Sequence, residues 1–129
     1  MDEQVTLSRR ERQIMDIVYA RGKASAGDVL DDLPDQPSRT TVRTLLRILE
    51  EKGFVKHTTE GREYIYRPTR PKAKAGRSAM NRVVDTFFDG SLGRAMANYL
   101  ADPKANMSKD DLDRLSQLIT EARKRRGDS

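Results

Sequence analysis

Arginine and short hydroxyl side chains recur along one side of a predicted helix between Ser38 and Lys52. Apolar residues repeat there at the i, i+3, i+4 and i+7 spacing that buries the opposite side of a helix. Guanidinium groups bind guanine edges and phosphates, and hydroxyl groups bind phosphates, so the polar side is suited to contact a DNA duplex. The residues of this helix that are predicted to contact DNA are Arg39, Thr40, Thr41, Arg43, Thr44 and Arg47.

The sequence also marks the ends of this helix. Ser38 is a good N-cap, and Gly53 stands where a left-handed residue would end the helix. Glu50 and Glu51 lie near the C-terminal end, where their charge would repel phosphates. We therefore expect the first two turns to make the contacts, as in the recognition helix of a helix-turn-helix.

Two further helices are predicted before this helix, and a hairpin after it. Residues 8–21 and 25–33 each begin with a serine that is followed three residues later by an acidic residue, the pattern of a capping box. Residues 54–59 and 62–67 alternate between apolar and polar side chains, and Glu60-Gly61 between them suits a hairpin turn. Three helices and a hairpin predict a winged helix-turn-helix.

The predicted wing could add DNA contacts of its own. Arg62 would rest on a phosphate or in the minor groove beside Tyr64. Strand tyrosines also pack inward, so Tyr66 is expected in the core and Tyr64 is left open between core and contact.

A basic segment follows the hairpin. Residues 68–78 hold two prolines and a glycine, which indicates a positively charged linker. Its cations would either stay solvated or lie along phosphates on the flank of a bound duplex. The predicted division is a DNA-binding domain at residues 1–70 and a helical dimerisation domain at residues 71–129.

Amphipathic helices are predicted beyond the linker, so the fold class is mainly α with a small β-hairpin, a winged helix-turn-helix followed by a helical arm. The apolar residues of the arm are too few to close a core alone, so we expect a homodimer in which two arms pair. The alternative is that the arm folds back on the winged helix of the same chain. The predicted dimer interface consists of Met80, Val84, Phe87, Phe88, Met96, Leu100, Leu112, Leu115 and Ile119.

The composition disfavours several other chemistries. The 25 Lys and Arg against 20 Asp and Glu give a net charge of +5, with bases concentrated between Arg62 and Arg82 and aspartates between Asp28 and Asp35. The chain has no cysteine, and no second ligand stands near its single histidine, His57, so no metal, cofactor or catalytic site is expected. No apolar run suits membrane insertion, which favours a cytoplasmic protein.

Several blocks of sequence follow one another in a familiar order. They are LSRRERQIMDIVYARGKASAGDVLDDL at 7–33, TTVRTLLRILEEKGFVKHTTEGREYIYRP at 40–68, FFDGS at 87–91 and AMANYLAD at 95–102. These blocks resemble the penicillinase-repressor family of winged-helix transcription factors, the repressors of β-lactamase and methicillin-resistance genes. The resemblance implies a dimeric repressor on a palindromic operator, with Thr41, Arg43 and Thr44 at recognition-helix positions and the hairpin as the wing.

The resemblance also implies a route of regulation. In antibiotic-responsive members a membrane-bound sensor protease signals, and the repressor is cut at an Asn-Phe bond in the arm, which dissolves the dimer. Asn98-Tyr99 falls on that position, although Tyr99 is equally a core position of its helix. Copper-responsive relatives carry a cysteine-rich tail, and because this sequence has no cysteine, metal sensing is disfavoured.

The predicted function is a homodimeric DNA-binding repressor, and an enzyme is not expected. A second class stays open, because winged helices also serve as protein or RNA interaction modules without operator specificity. Salt dependence separates the two. A duplex reader loses affinity steeply as salt rises, whereas a protein-docking face responds weakly.

Overall fold

A computed structural model describes residues 6–127, which form six helices and one two-stranded sheet. In chain order the elements are α1 (Arg9–Arg21), α2 (Ala26–Asp32), α3 (Arg39–Glu51), β1 (Val55–Glu60), β2 (Glu63–Pro68), α4 (Lys72–Phe87), α5 (Leu92–Ala101) and α6 (Lys109–Arg126). The chain divides into two compact units, Met1–Arg82 and Val83–Ser129. The fold is mainly helical with a small hairpin, which confirms the predicted class.

The first unit is built around one apolar core. Helices α1, α2 and α3 each turn one side inward, and the two strands add Val55 and Tyr66. Burial of this apolar surface supplies the main driving force for the fold. The side chains that are essentially fully buried are Ile14, Val18, Val29, Leu33, Val42, Leu46, Leu49 and Val55.

Serine caps fix where the helices of this unit begin. The Ser8 hydroxyl accepts from the Glu11 amide at 3.1 Å, and the Glu11 carboxylate accepts from the Ser8 amide at 2.7 Å. Ser25 and Asp28 form the same reciprocal pair, at 3.1 Å in both directions. A cap of this kind contributes about 1 kcal/mol, and both predicted helix starts are confirmed.

Glu11 also links the first turn of α1 to the end of α3. It is 4% exposed and accepts from Lys52 Nζ at 3.0 Å. Burial alone would raise the pKa of Glu11, but the hydrogen bonds from Ser8 and Lys52 outweigh burial and lower that pKa below its ordinary value. The contact therefore stabilises the fold above the ordinary pKa of a glutamate, and this contribution is lost as the pH falls through the lowered pKa.

Asp28, Asp32 and Asp35 pair with arginines of α1. Arg21 Nε donates to Asp32 at 2.7 Å, and Arg10 forms a two-pronged pair with Asp35. The hydrogen bonds from Arg10 hold the pKa of Asp35 at about 2. The acidic run that the sequence displays therefore serves to hold α2 and the turn into α3 against α1.

The hairpin turn lies one residue later than predicted. Strands β1 and β2 pair antiparallel with Glu60 opposite Glu63, so Gly61 and Arg62 form the turn. The predicted Glu60-Gly61 turn is wrong because the left-handed φ of +65° at Gly61 belongs to the first turn position. Arg62 therefore lies at the tip of the wing.

The linker predicted at residues 68–78 is wrong from Lys72 onward, because α4 begins there. The carbonyl of Pro71 accepts from the Ala75 amide at 3.1 Å, so this proline precedes the helix instead of interrupting it. The boundary between the compact units falls inside α4, after Arg82, whereas the domains predicted from sequence divide after residue 70.

Much apolar surface is exposed beyond the first unit. Neither α5 nor α6 contains a buried residue, and Phe87 is 74% exposed. Val84 is 5% exposed and differs in this from the other residues of the predicted dimer interface. None of the helices described between residues 6 and 127 is long and apolar enough to cross a membrane. The other predicted interface residues are half-buried or exposed, namely Met80, Phe87, Phe88, Met96, Leu100, Leu112, Leu115 and Ile119.

Candidate nucleic-acid interface

Helix α3 is fixed about its own axis by three fully buried side chains. Val42, Leu46 and Leu49 are each 0% exposed and pack into the core of the first unit. Successive residues of a helix are rotated by about 100°, so the opposite side of α3 has to face outward. The predicted contact residues of this side are all exposed, namely Arg39, Thr40, Thr41, Arg43, Thr44 and Arg47.

A cavity of about 610 Å³ lies between the start of α2, the outward side of α3 and the wing. The predicted contact residues that line it are Arg39, Arg43, Thr44, Arg47, Arg62 and Tyr64. Thr40 and Thr41 are exposed but do not line it. Thr41 also takes part in the helix cap, because its hydroxyl lies 2.8 Å from Ser38 Oγ and its amide donates to the same oxygen at 3.0 Å.

The lining of this cavity is positively charged. Four arginines contribute to it, against two carboxylates, Glu50 and Glu63. Arg47 forms an exposed pair with Glu51 at 3.1 Å, which is weak enough in water for a phosphate to replace. The Arg39 guanidinium lies beside Gly27 at the start of α2. The lining therefore suits a polyanion.

Glu50 joins α3 to the wing. Its carboxylate lies 2.8 Å from His57 Nδ1 and accepts from the His57 amide at 3.3 Å. The His57 ring stacks on Tyr64 with ring centroids 4.1 Å apart and planes inclined by 17°. Because Tyr64 is 54% exposed, this stack holds a largely solvent-facing aromatic ring at the edge of the cavity.

Tyr66 fixes the wing from the inside. It is 6% exposed, and its backbone exchanges hydrogen bonds of 2.8 and 3.0 Å with Ala24. Burial raises the pKa of Tyr66, Glu50 and Tyr64 add to the rise, and Arg43 opposes it. The hydroxyl therefore stays protonated at neutral pH. Tyr66 is in the core, as predicted, and the open question about Tyr64 is answered in favour of exposure.

Residues 6–127 contain no group of three or more histidine, aspartate and glutamate side chains that could hold a metal ion. His57 and Glu50 form a pair of their own beside two tyrosines.

The model of one protein family, the penicillinase repressor, matches residues 7–121. The chain belongs to the penicillinase-repressor family. Members of this family are DNA-binding transcription regulators and not enzymes. The family assigned from the resemblance of the sequence blocks is thereby confirmed.

Relatives of this family member align along most of its length. An uncharacterized 16.5 kDa protein from the ptsI 3' region of Latilactobacillus sakei is 30% identical over 118 residues, 88% of this chain and 78% of the relative. The penicillinase repressor of Bacillus licheniformis is 23% identical over 122 residues, 93% of this chain and 94% of that repressor. The solved structure of a mutant MarR from E. coli complexed with operator DNA is 12% identical, with a TM-score of 0.52 over 94% of this chain and 79% of that chain. The MarR structure shares the fold.

Sequence reasoning about this repressor missed the residues that join α3 to the wing. It gave Glu50 a repulsive effect and His57 no role. One signal was available, because either turn position places His57 opposite one of the two tyrosines and diagonal to the other, so the three rings share a face. In the observed register His57 lies opposite Tyr66 and diagonal to Tyr64. The contact to Glu50 was not available, because no periodicity relates a helix to the strand that follows it. The start of α2 was also missed as a wall of the cavity.

We expect Glu50→Ala to loosen the wing of the repressor without unfolding its core. His57 would lose the carboxylate that holds its ring and its amide, and the stacked Tyr64 would lose its support. Amide hydrogen exchange measured by NMR should quicken about tenfold along β1 and β2, the size expected for one lost charge-assisted hydrogen bond.

Glu51→Ala is the matched control, since Glu51 is the neighbouring residue and pairs with Arg47 on the same helix. Unchanged exchange in the wing of Glu50→Ala, or an equal change in Glu51→Ala, would contradict the link between α3 and the wing.

Proposed function

We propose that this repressor binds as a homodimer to an inverted-repeat operator and blocks transcription from it. The observation that supports the proposal best is the cavity in which four arginines of α3 and the wing tip gather beside Thr44 and Tyr64. A DNA duplex presents phosphates along its backbone and acceptor atoms at its base edges. Guanidinium donors on the exposed side of a helix match both.

In this proposal α3 enters the major groove through its first turns. Arg43 and Thr44 reach base edges, while Arg39 and Arg47 neutralise phosphates on either side. Arg62, at the tip of the wing, contacts the flanking backbone together with Tyr64. The exposed hydroxyls of the first turn, Thr40 and Thr41, add phosphate contacts.

Homodimerisation is proposed from the apolar side chains that follow the winged helix. Phe87, Leu92 and Ile119 are 74%, 54% and 54% exposed, respectively. Soluble monomers rarely expose several large apolar side chains on consecutive helices, and a second copy of the same chain would cover them in a closed two-fold arrangement. The burial of this surface would drive association.

A two-fold dimer implies a particular operator. Two α3 helices related by symmetry read an inverted repeat, with half-site centres one helical turn or a small multiple of it apart. Binding to one half-site raises the effective concentration at the other, so the dimer gains affinity that a single protomer lacks. The proposed location is the cytoplasm, where a repressor meets chromosomal DNA.

Release from the operator is proposed to follow cleavage between Asn98 and Tyr99 by a sensor protease. Both residues are exposed and lie in the last turns of α5. A helix has to unwind locally before a protease can bind a peptide bond inside it. Helix α5 has no buried residue within its own chain to oppose this unwinding. Cleavage would disconnect α6 from the rest of the arm and so weaken the dimer.

Arg43→Ala should weaken binding to an operator selected from an inverted-repeat library by about 1–3 kcal/mol and relax base choice at one position. Binding to random duplex should fall far less, since that binding depends on phosphate neutralisation. Anisotropy titrations on both duplexes at two salt concentrations measure the difference.

Arg77→Ala is the matched control, because it removes the same charge from an exposed position on α4 that does not line the cavity. An equal loss on random duplex would refute base reading by Arg43. Weak, salt-insensitive binding of the unmodified protein to every duplex would contradict operator binding and would indicate that this surface binds a protein partner.

The double variant Phe87→Glu with Ile119→Glu should be a monomer whose winged helix stays folded. Two carboxylates on the proposed interface would have to be desolvated in the dimer. The free energy of this desolvation exceeds the free energy gained by association. Light scattering gives the mass, and circular dichroism gives the fold. The matched control is Thr86→Glu with Thr120→Glu, which carries the same charges on adjacent positions. A dimer that survives the first pair, or that both pairs abolish, would contradict the proposed interface.

Repressor recovered from cells exposed to β-lactam antibiotics should consist of two fragments, one ending at Asn98 and one beginning at Tyr99. Intact-mass spectrometry identifies them directly. The variant Asn98→Ala with Tyr99→Ala should remain whole under the same treatment. A full-length chain in every induced sample would exclude cleavage as the route of release.

A further inference from the structure

A second cavity, of about 570 Å³, lies in the first unit between α1, the segment that follows α3, and the beginning of α4. It shares no lining residue with the cavity of the DNA interface. Its volume falls within the range of sites that hold small organic molecules. We refer to it as the α1–α4 groove.

The floor of the groove is apolar. Met15, Tyr19 and Phe54 contribute to it, and Met15 is 4% exposed. The wall that α4 supplies is made of small residues such as Ala79 and Gly76, and a Cβ added at Gly76 would meet nothing within 4 Å. The groove therefore has room for a ring or a branched chain against an apolar surface.

Positive charge surrounds this floor. Asp16 is the acidic residue of the lining, against five bases. The Arg70 guanidinium lies over the Phe54 ring, 4.1 Å from its centroid. A guanidinium is planar and presents its N–H groups in one plane, which is the geometry that carboxylates bind. The bases of the lining are Arg12, Arg70, Lys72, Lys74 and Arg82.

Tyr19 adds a neutral donor to the same site. Burial raises the pKa of its hydroxyl, and the charge of Arg70, which is close enough to act on it, opposes the rise. The pKa stays above its ordinary value, so the hydroxyl is protonated at neutral pH and can donate a hydrogen bond.

We propose that the α1–α4 groove binds an amphipathic organic anion, with an aromatic or branched aliphatic body on the floor and a carboxylate at Arg70. The charge of the lining decides the ligand class. A cation would be repelled, and a neutral molecule would gain nothing from the surrounding bases. Binding itself does not depend on the proposed function.

Such a ligand would also act as an effector of operator binding, and this part rests on the proposed function. Helix α4 carries both Ala79, which lines the groove, and the exposed Phe87 of the proposed dimer face. An anion in the groove would also cancel part of the positive charge that attracts DNA. We expect operator affinity to fall about fivefold at saturation, and bound operator to weaken ligand binding by the same factor.

Calorimetric titration of the full-length protein with naphthalene-2-carboxylate tests the site, with naphthalene-2-carboxamide as the neutral probe. The carboxylate should saturate at one molecule per chain and bind more tightly than the amide. Arg70→Gln should weaken carboxylate binding about tenfold and amide binding far less, since a neutral amide oxygen accepts a weaker hydrogen bond than a carboxylate does. Arg77→Gln, on α4 but outside the groove, should change neither.

Failure of the carboxylate to saturate, equal binding of carboxylate and amide, or undiminished binding by Arg70→Gln would overturn the proposed site. If circular dichroism shows Arg70→Gln to be unfolded, Ala79→Phe tests the same space, because its ring would fill the groove and abolish binding of both probes. Binding of the carboxylate without any change in operator affinity would overturn the effector role alone. A ligand-free protein that selects no operator would count against the proposed function and leave the ligand site standing.

Discussion

The two-sided character of α3 is the constraint on which the rest of the first unit depends. Its apolar side is completely buried through Val42, Leu46 and Leu49, so rotation about the helix axis is fixed by the same packing that stabilises the domain. A rotation by one residue, about 100°, would expose leucine and bury arginine. The packing of the core therefore also determines the side of the first unit from which the arginines of α3 project. A substitution that disturbs this packing would also change that direction.

The wing depends on α3 in turn. A two-stranded hairpin is marginally stable by itself in water, and in this one each strand contacts a neighbouring part of the first unit. The backbone of Tyr66 pairs with Ala24, while His57 rests on Glu50. The acidic end of α3, which would only repel DNA if it were unpaired, thus acquires a structural use. The aromatic ring of Tyr64 owes its place at the cavity to this chain of contacts.

Most of the first unit could be predicted because its signals are local. The serine caps, the left-handed Gly53 at the end of α3 and the helical periodicity each involve residues a few positions apart. The start of α4 was misjudged because Pro71 and Gly76 normally interrupt helices, yet Pro71 precedes the first turn and Gly76 costs only about 1 kcal/mol within the helix. The Glu50–His57 contact and the α1–α4 groove could not be predicted, since both join elements whose relative placement depends on the whole core.

The bare apolar sides of α5 and α6 have a consequence for gene dosage. If the active form is a dimer, its amount at low expression grows with the square of the chain concentration, so doubling synthesis gives about four times as much operator-competent protein. A promoter under such control responds with a threshold and not in proportion. A newly made chain that has not met a second copy also shows the surface that quality-control proteases and chaperones recognise. Steady supply, as well as affinity, would then determine how tightly the regulated gene is kept silent.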